Sequence, residues 1–192
     1  FKIKMIKIGI TGSLASGKTT ASKIISAGRG PLFNADIVVK KLYKKNNFRT
    51  LIAKKLGFKL NINFKKNLTK KILEEKQSLK KLEKVIHPLV KKEMIIFSRK
   101  NKSKKYLFFE IPLLVESKLT SYFDAVIFIK SKVNLRLKRY KFKGGSIKLF
   151  AILDNHQLKD TIKMKRCSHI VVNNKSLTTL KENLFNIIKL YE

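Results

Sequence analysis

Acidic residues are scarce in this chain, with 12 Asp and Glu against 45 Lys and Arg in 192 residues, a formal charge of +33. Such an excess invites a nucleic-acid reading, because polyanions bind clustered cations by releasing counterions. Only six of the basic residues are arginine, however, and base readers lean on arginine for bidentate contacts. The lysines accompany abundant Ile, Asn and Phe along nearly every segment, as A/T-rich codons would dictate. No specific nucleic-acid partner is expected, only diffuse binding to polyanions at low salt. The lone cysteine, Cys167, excludes a disulfide framework and a multi-cysteine metal site, and reads as a small packing residue. There is no internal repeat. No apolar run approaches the ~20 residues that span a bilayer, and the start has no long apolar signal core. A soluble cytoplasmic protein is expected, with enough apolar residues (44%) for a buried core.

Against that background of dispersed lysine, GSLASGKTT at residues 12–20 frames one lysine between two glycines and two threonines. Gly12, Gly17, Lys18 and Thr19 match G-x-x-x-x-G-K-[ST], the loop that cradles nucleotide phosphates. The preceding KIKMIKIGIT turns from alternating Ile3 and Met5 to continuous apolar residues, as a strand entering a buried sheet does. Ala21, Ile24 and Ile25 then begin a helical spacing that stops at Gly28. In this strand–loop–helix setting the backbone N–H groups of Gly12, Ser13, Leu14, Ala15, Ser16, Gly17, Lys18, Thr19 and Thr20 surround a phosphate. Lys18 adds a positive charge, and the Thr19 hydroxyl is a Mg²⁺ ligand.

Downstream, PLFNAD (31–36) reads as a short strand ending at Asp36, with a helix from Ile37 that Asp36 could equally cap. Residues 45–104 carry apolar residues at helical spacing (Leu73, Leu79, Leu82, Val85, Ile86), interrupted at His87-Pro88 because proline disfavours helix in the residue before it. YLFFE (106–110), FDAVIFIK (123–130) and HIVVNN (169–174) read as strands. Leu177, Leu180, Leu184, Ile188 and Tyr191 fall on one face of a closing helix. Strands alternating with helices predict one α/β domain over 1–192 with a mainly parallel sheet, the phosphate loop after its first strand. A basic helical insertion lies near 60–104 and a basic lid near 134–158. The guanine-reading N-K-x-D of GTP-binding switches is missing, since Asn174-Lys175-Ser176 is followed by Leu177. The chain is also short for a motor or helicase. A small-molecule kinase that uses ATP fits these features, with the insertion for the acceptor.

The segments IGITGSLASGKTT, NAD at 34–36, IHPLV at 86–90, EIPLLVE at 110–116, Gln157 with Lys163, and IVVNN followed by SL together resemble the dephospho-CoA kinase family over nearly the whole chain. The resemblance implies a P-loop kinase fold and ATP- and Mg²⁺-dependent phosphorylation of the ribose 3′-hydroxyl of dephospho-CoA, the last step of coenzyme A synthesis. It implies that Asp36 meets the acceptor hydroxyl, that Lys18 and a lid arginine, Arg136, serve the transferring phosphate, and that Asn173 lies near the adenine. Departures exist: Asn34 and Glu110 stand where the family usually has Asp, and Ser168 where it tends to have Asp. The family's second lid arginine falls on Tyr140, with Arg139 adjacent. Glu110, at the end of an apolar strand, needs Mg²⁺, a water or a cationic partner, so a metal role and an ion pair are both open. Arg136 and Arg139 could bind phosphate or lie on an exposed basic face, Asn173 could merely hold a turn, and His87 could touch the acceptor or be structural. Two other functions remain open: a nucleoside or nucleotide kinase of the same fold, and an RNA-binding ATPase.

Overall fold

The structure, a computed structural model, describes residues 4–192. Ile3, part of the strand reading, lies outside them. Two compact units are built from the chain, one from the N-terminal residues through Asn34 together with Ser98–Glu192, the other from Ala35–Phe97.

The first unit is a five-stranded parallel sheet in the order β2-β3-β1-β4-β5. Its strands are β1 (Ile6–Gly12), β2 (Leu32–Asn34), β3 (Tyr106–Glu110), β4 (Ala125–Lys130) and β5 (His169–Val172). The three central strands are buried almost throughout, which is why they read as continuous apolar runs rather than alternations. Helices α1 (Lys18–Ser26) and α9 (Leu177–Ile188) cover one face through Ala21, Ile25, Leu180, Leu184 and Ile188. Leu177, expected on that face, is exposed instead: it follows the Ser176 cap in the first turn, ahead of the stripe that starts at Leu180. The basic stretch after β4 folds into α6 (Val133–Phe142) and α7 (Ile147–His156), followed by the short α8 (Asp160–Met164). Ser168 closes β5 onto β4: its N–H donates to Val126 O at 2.9 Å, and its Oγ accepts from Val126 N at 3.1 Å.

The second unit is helical: α2 (Ala35–Leu42), α3 (Asn46–Leu56), α4 (Phe64–Glu74) and most of α5 (Lys76–Lys100). Phe48, Ile52, Leu56, Phe64, Leu68 and Leu82 form its core. It starts at Ala35, earlier than the 60–104 expected, because α2 and α3 contribute to that core as much as α4 does. The interruption expected at His87-Pro88 does not occur, and α5 runs through Pro88 for 25 residues. An interior proline costs about 3 kcal/mol through the lost N–H and the ring clash. Here Pro88 and Lys84, whose carbonyl loses its partner, are both on the exposed side, where water can satisfy that carbonyl. The apolar spacing Leu82, Ile86, Val90, Met94 meanwhile continues unbroken across the proline.

Candidate active site

The phosphate loop leaves β1 and enters α1, and both framing glycines are required by geometry. Gly12 (φ 151°) and Gly17 (φ 98°) occupy backbone conformations that side chains rarely adopt. A Cβ at Gly12 would press on the Ile129 carbonyl, and one at Gly17 on the Asn173 amide. Around the loop, side-chain donors hold the outward carbonyls. Lys18 Nζ donates to Gly12 O (3.1 Å) and Ser13 O (2.8 Å), and Arg136 Nη1 to Leu14 O (3.2 Å). Ser16 O receives both Arg139 Nη1 (3.2 Å) and Asn173 Nδ2 (2.9 Å). With those carbonyls engaged by donors, the loop amides and the positive end of α1 are what remain to meet an anion.

Two further donors sit there without partners among the described residues: the Ser16 hydroxyl and Arg136 Nε are both buried and unbonded. An unsatisfied buried polar group costs about 1–3 kcal/mol, which phosphate oxygens would offset. The residues present therefore fit a nucleotide phosphate.

Glu110, 1% exposed at the end of β3, gathers three donors from two elements, α1 and β2. Thr19 Oγ1 donates to its Oε1 at 2.6 Å and Ser22 Oγ to its Oε2 at 2.9 Å; Asn34 Nδ2, at the end of β2, also donates to Oε2. In place of the ion pair that remained open, neutral donors hold this carboxylate. An aspartate at Asn34 would lose this donated N–H and set a second carboxylate against Glu110. Asn34→Asp should accordingly lower stability by about 1–3 kcal/mol at neutral pH. Urea unfolding of both proteins at neutral pH checks this; equal stability would contradict it.

Arg136 and Arg139, three residues apart on α6, both face the loop, so neither lies on an exposed basic face. Arg139 also donates to Ser131 Oγ (3.0 Å) and Asn173 O (3.1 Å). Tyr140, on which the family's second arginine would fall, packs edge-on to Phe150 with centroids 5.5 Å apart, and Arg139 is the residue at the loop. Asn173, 7% exposed, braces Gly17 from β5's exit. Gln157 and Lys163 also meet: Lys163, fully buried, reaches Gln157 Oε1 (3.2 Å) and pairs with Glu116 Oε1 (2.9 Å). This buried pair was not given a role by sequence reasoning, and neither was the bond from Ser13 Oγ to Asp160 that ties α8 to the loop. Burial pushes the nearby Cys167 thiol up to about 11, and its Sγ donates to Lys163 O at 3.2 Å, in keeping with a packing residue.

Asp36 belongs to the helical unit. Helix α2 starts at Ala35, so Asp36 stands exposed within its first turn, not before it as a cap to a helix from Ile37. A carboxylate there is still favoured by the positive end of the helix. The same unit carries a pocket of about 340 Å³ lined by Tyr43, Arg49, Ile62, Asn63, Phe64, Lys65 and Lys66, cations set around aromatic rings. Burial raises the Tyr43 hydroxyl to about 12, so it stays protonated.

Comparison with known proteins bears on all of this. A family model described as dephospho-CoA kinase matches residues 6–179. The dephospho-CoA kinase of Rickettsia typhi is 31% identical over 186 residues, covering 96% of this chain and 97% of its own. That of Bartonella henselae is 30% identical over 187 residues, covering 95% and 96%. The solved structure of dephospho-CoA kinase from Campylobacter jejuni aligns with a TM-score of 0.61 at 25% identity over 95% of each chain. With its P-loop kinase fold and a match across nearly its whole length, the chain belongs to the dephospho-CoA kinase family.

Proposed function

We propose that this chain transfers the γ-phosphoryl group of ATP to the ribose 3′-hydroxyl of dephospho-CoA, giving coenzyme A. Family membership over residues 6–179 carries the reading, and the phosphate loop with its two unpaired buried donors supports the use of a nucleotide.

Phosphoryl transfer needs in-line positioning, neutralisation of the transferring oxygens and a place for the hydroxyl proton. Loop residues 12–20 bind the phosphates, with Lys18 as the positive charge among them. Arg136 and Arg139, from the lid built of α6 and α7, supply guanidinium donors to the same oxygens. Asn173 braces the loop on the adenine side. Asp36 orients the acceptor hydroxyl and takes its proton, and the helical unit from Ala35 holds the rest of the acceptor, its cation-lined pocket suiting a pyrophosphate. Thr19 and Glu110 would hold Mg²⁺. Their hard oxygens lie side by side, and among the described residues no cluster of three or more Asp, Glu, His or Cys forms a closed cage. That is the donor set of an ion that keeps waters and substrate phosphates in its shell. When bound, the ion neutralises charge on the transferring phosphate. Among the described residues no helix is long and apolar enough to cross a membrane, and we place the enzyme in the cytoplasm with its substrates.

The deciding experiment offers the purified protein ATP with dephospho-CoA, free nucleosides or nucleoside monophosphates, and reads phosphate incorporation and ADP release, with and without RNA. Preferential phosphorylation of dephospho-CoA is expected. Faster turnover of a nucleoside or monophosphate would replace the acceptor assignment, and hydrolysis stimulated by RNA with no acceptor phosphorylated would replace the activity.

A further inference from the structure

Arg136 is only 4% exposed, so its charge must be matched inside the protein. Leu14 O accepts one hydrogen bond from Nη1. The matching charge comes from Asp154, which takes both ends of the guanidinium fork, Nη1 to Oδ1 and Nη2 to Oδ2 at 3.0 Å. One turn earlier on α7, the Phe150 ring lies 5.6 Å from Arg136 Cζ. Phe150 and Asp154, at i and i+4, thus offer a ring and a carboxylate from one helix face, a seat shaped for a guanidinium.

Asp154 stands in the last turn of α7, where the negative end of a helix disfavours a carboxylate. Its fork to Arg136 compensates that position, in a chain that has very few acidic residues to place. The consequence for Arg136 is orientation. With Nη1 and Nη2 engaged by Asp154 and Leu14, the buried Nε–H is left without a partner among the described residues, beside the phosphate loop. Only one edge of the guanidinium is then presented to an incoming anion, and the side chain is ordered before the nucleotide arrives.

We propose that Asp154 is a positioning residue for phosphoryl transfer, holding Arg136 against the phosphate loop so that its free edge meets the nucleotide's phosphates. This rests on reading Arg136 as a phosphate-binding group, and the test separates the two statements. Steady-state kinetics on the full chain would compare wild type, Asp154→Ala, Asp154→Asn, Asp154→Glu, Arg136→Ala and the Asp154→Ala/Arg136→Ala double variant, each checked for folding by circular dichroism and melting. Asp154→Ala and Asp154→Asn should each lower kcat about 10-fold or more, the scale of a misplaced electrostatic contact, with the KM for dephospho-CoA nearly unchanged. Asp154→Glu should recover part of the loss. The double variant should be no slower than Arg136→Ala alone, because a residue that acts only through Arg136 has nothing left to do once that side chain is gone. An impaired Arg136→Ala beside Asp154 variants with wild-type kcat, or with a lowered melting temperature as their sole defect, overturns the positioning role. So do losses at the two residues that multiply. Full activity in Arg136→Ala overturns the reading of Arg136 itself, and the proposal with it.

Discussion

Lys18→Ala should lower turnover by about 10²-fold or more while the protein stays folded, the magnitude associated with losing one preorganised electrostatic contact to developing charge. Nζ lies on the loop carbonyls of Gly12 and Ser13, and its side chain is 8% exposed. It is therefore held within the loop, without the freedom of an exposed surface lysine. Removing it leaves those two carbonyls short of a donor, so ATP affinity should fall together with kcat, and a modest drop in melting temperature should accompany both. ADP release under saturating dephospho-CoA, with ATP binding by calorimetry, measures the two effects. Near wild-type turnover in a folded Lys18→Ala protein would remove the phosphate-loop assignment, since no other lysine in this lysine-rich chain stands at the Gly-Lys-Thr end of such a loop.

The contrast between Lys18 and the other lysines also shows which features the sequence made legible. The loop is local: two glycines, a lysine and a threonine within eight residues, preceded by an apolar strand and followed by helical spacing, so chain-neighbour rules suffice to read it. The strands were equally legible, the three central ones because strands covered on both faces demand uninterrupted apolar residues. What was hidden depends on partners far apart in the chain. Glu110 reads as a costly free carboxylate until Thr19, Ser22 and Asn34, up to 91 residues away, are seen to donate to it. Arg136 and Arg139 read equally as phosphate binders or as an exposed basic face until the loop carbonyls appear beneath them. Asp154 and Asp160 carried no motif at all. The α5 proline was misread for a different reason: the preference against helix before proline is a bias of about a few kcal/mol, and a long apolar stripe with the proline on the wet side outweighs it. The family resemblance supplied what spacing could not, the acceptor. Even there only the fold shows that Arg139 reaches the loop while Tyr140 packs on Phe150.

Asp36→Asn separates catalysis from nucleotide binding. The residue sits exposed in the first turn of α2, in the helical unit, whereas the loop, Glu110, Arg136 and Arg139 are built by the other. If its carboxylate orients the acceptor hydroxyl and takes its proton, the substitution touches nothing that ATP alone contacts. ATP affinity should stay nearly unchanged while turnover drops about 10²-fold or more, the scale of a lost general base. The amide preserves size and shape but gives up the favourable interaction of a negative charge with the helix N-terminus, a cost of about 0.3–1 kcal/mol, so the melting temperature should fall only slightly. Kinetics should show kcat and kcat/KM for dephospho-CoA falling together, the mark of an interaction realised mainly in the transition state. A variant of full activity, or one whose only defect is the lower melting temperature, would reduce Asp36 to a helix-end charge. Glu110 could not then simply inherit the role: its carboxylate is 1% exposed and already accepts from three donors, so the proton would have to leave to water or to the phosphate itself.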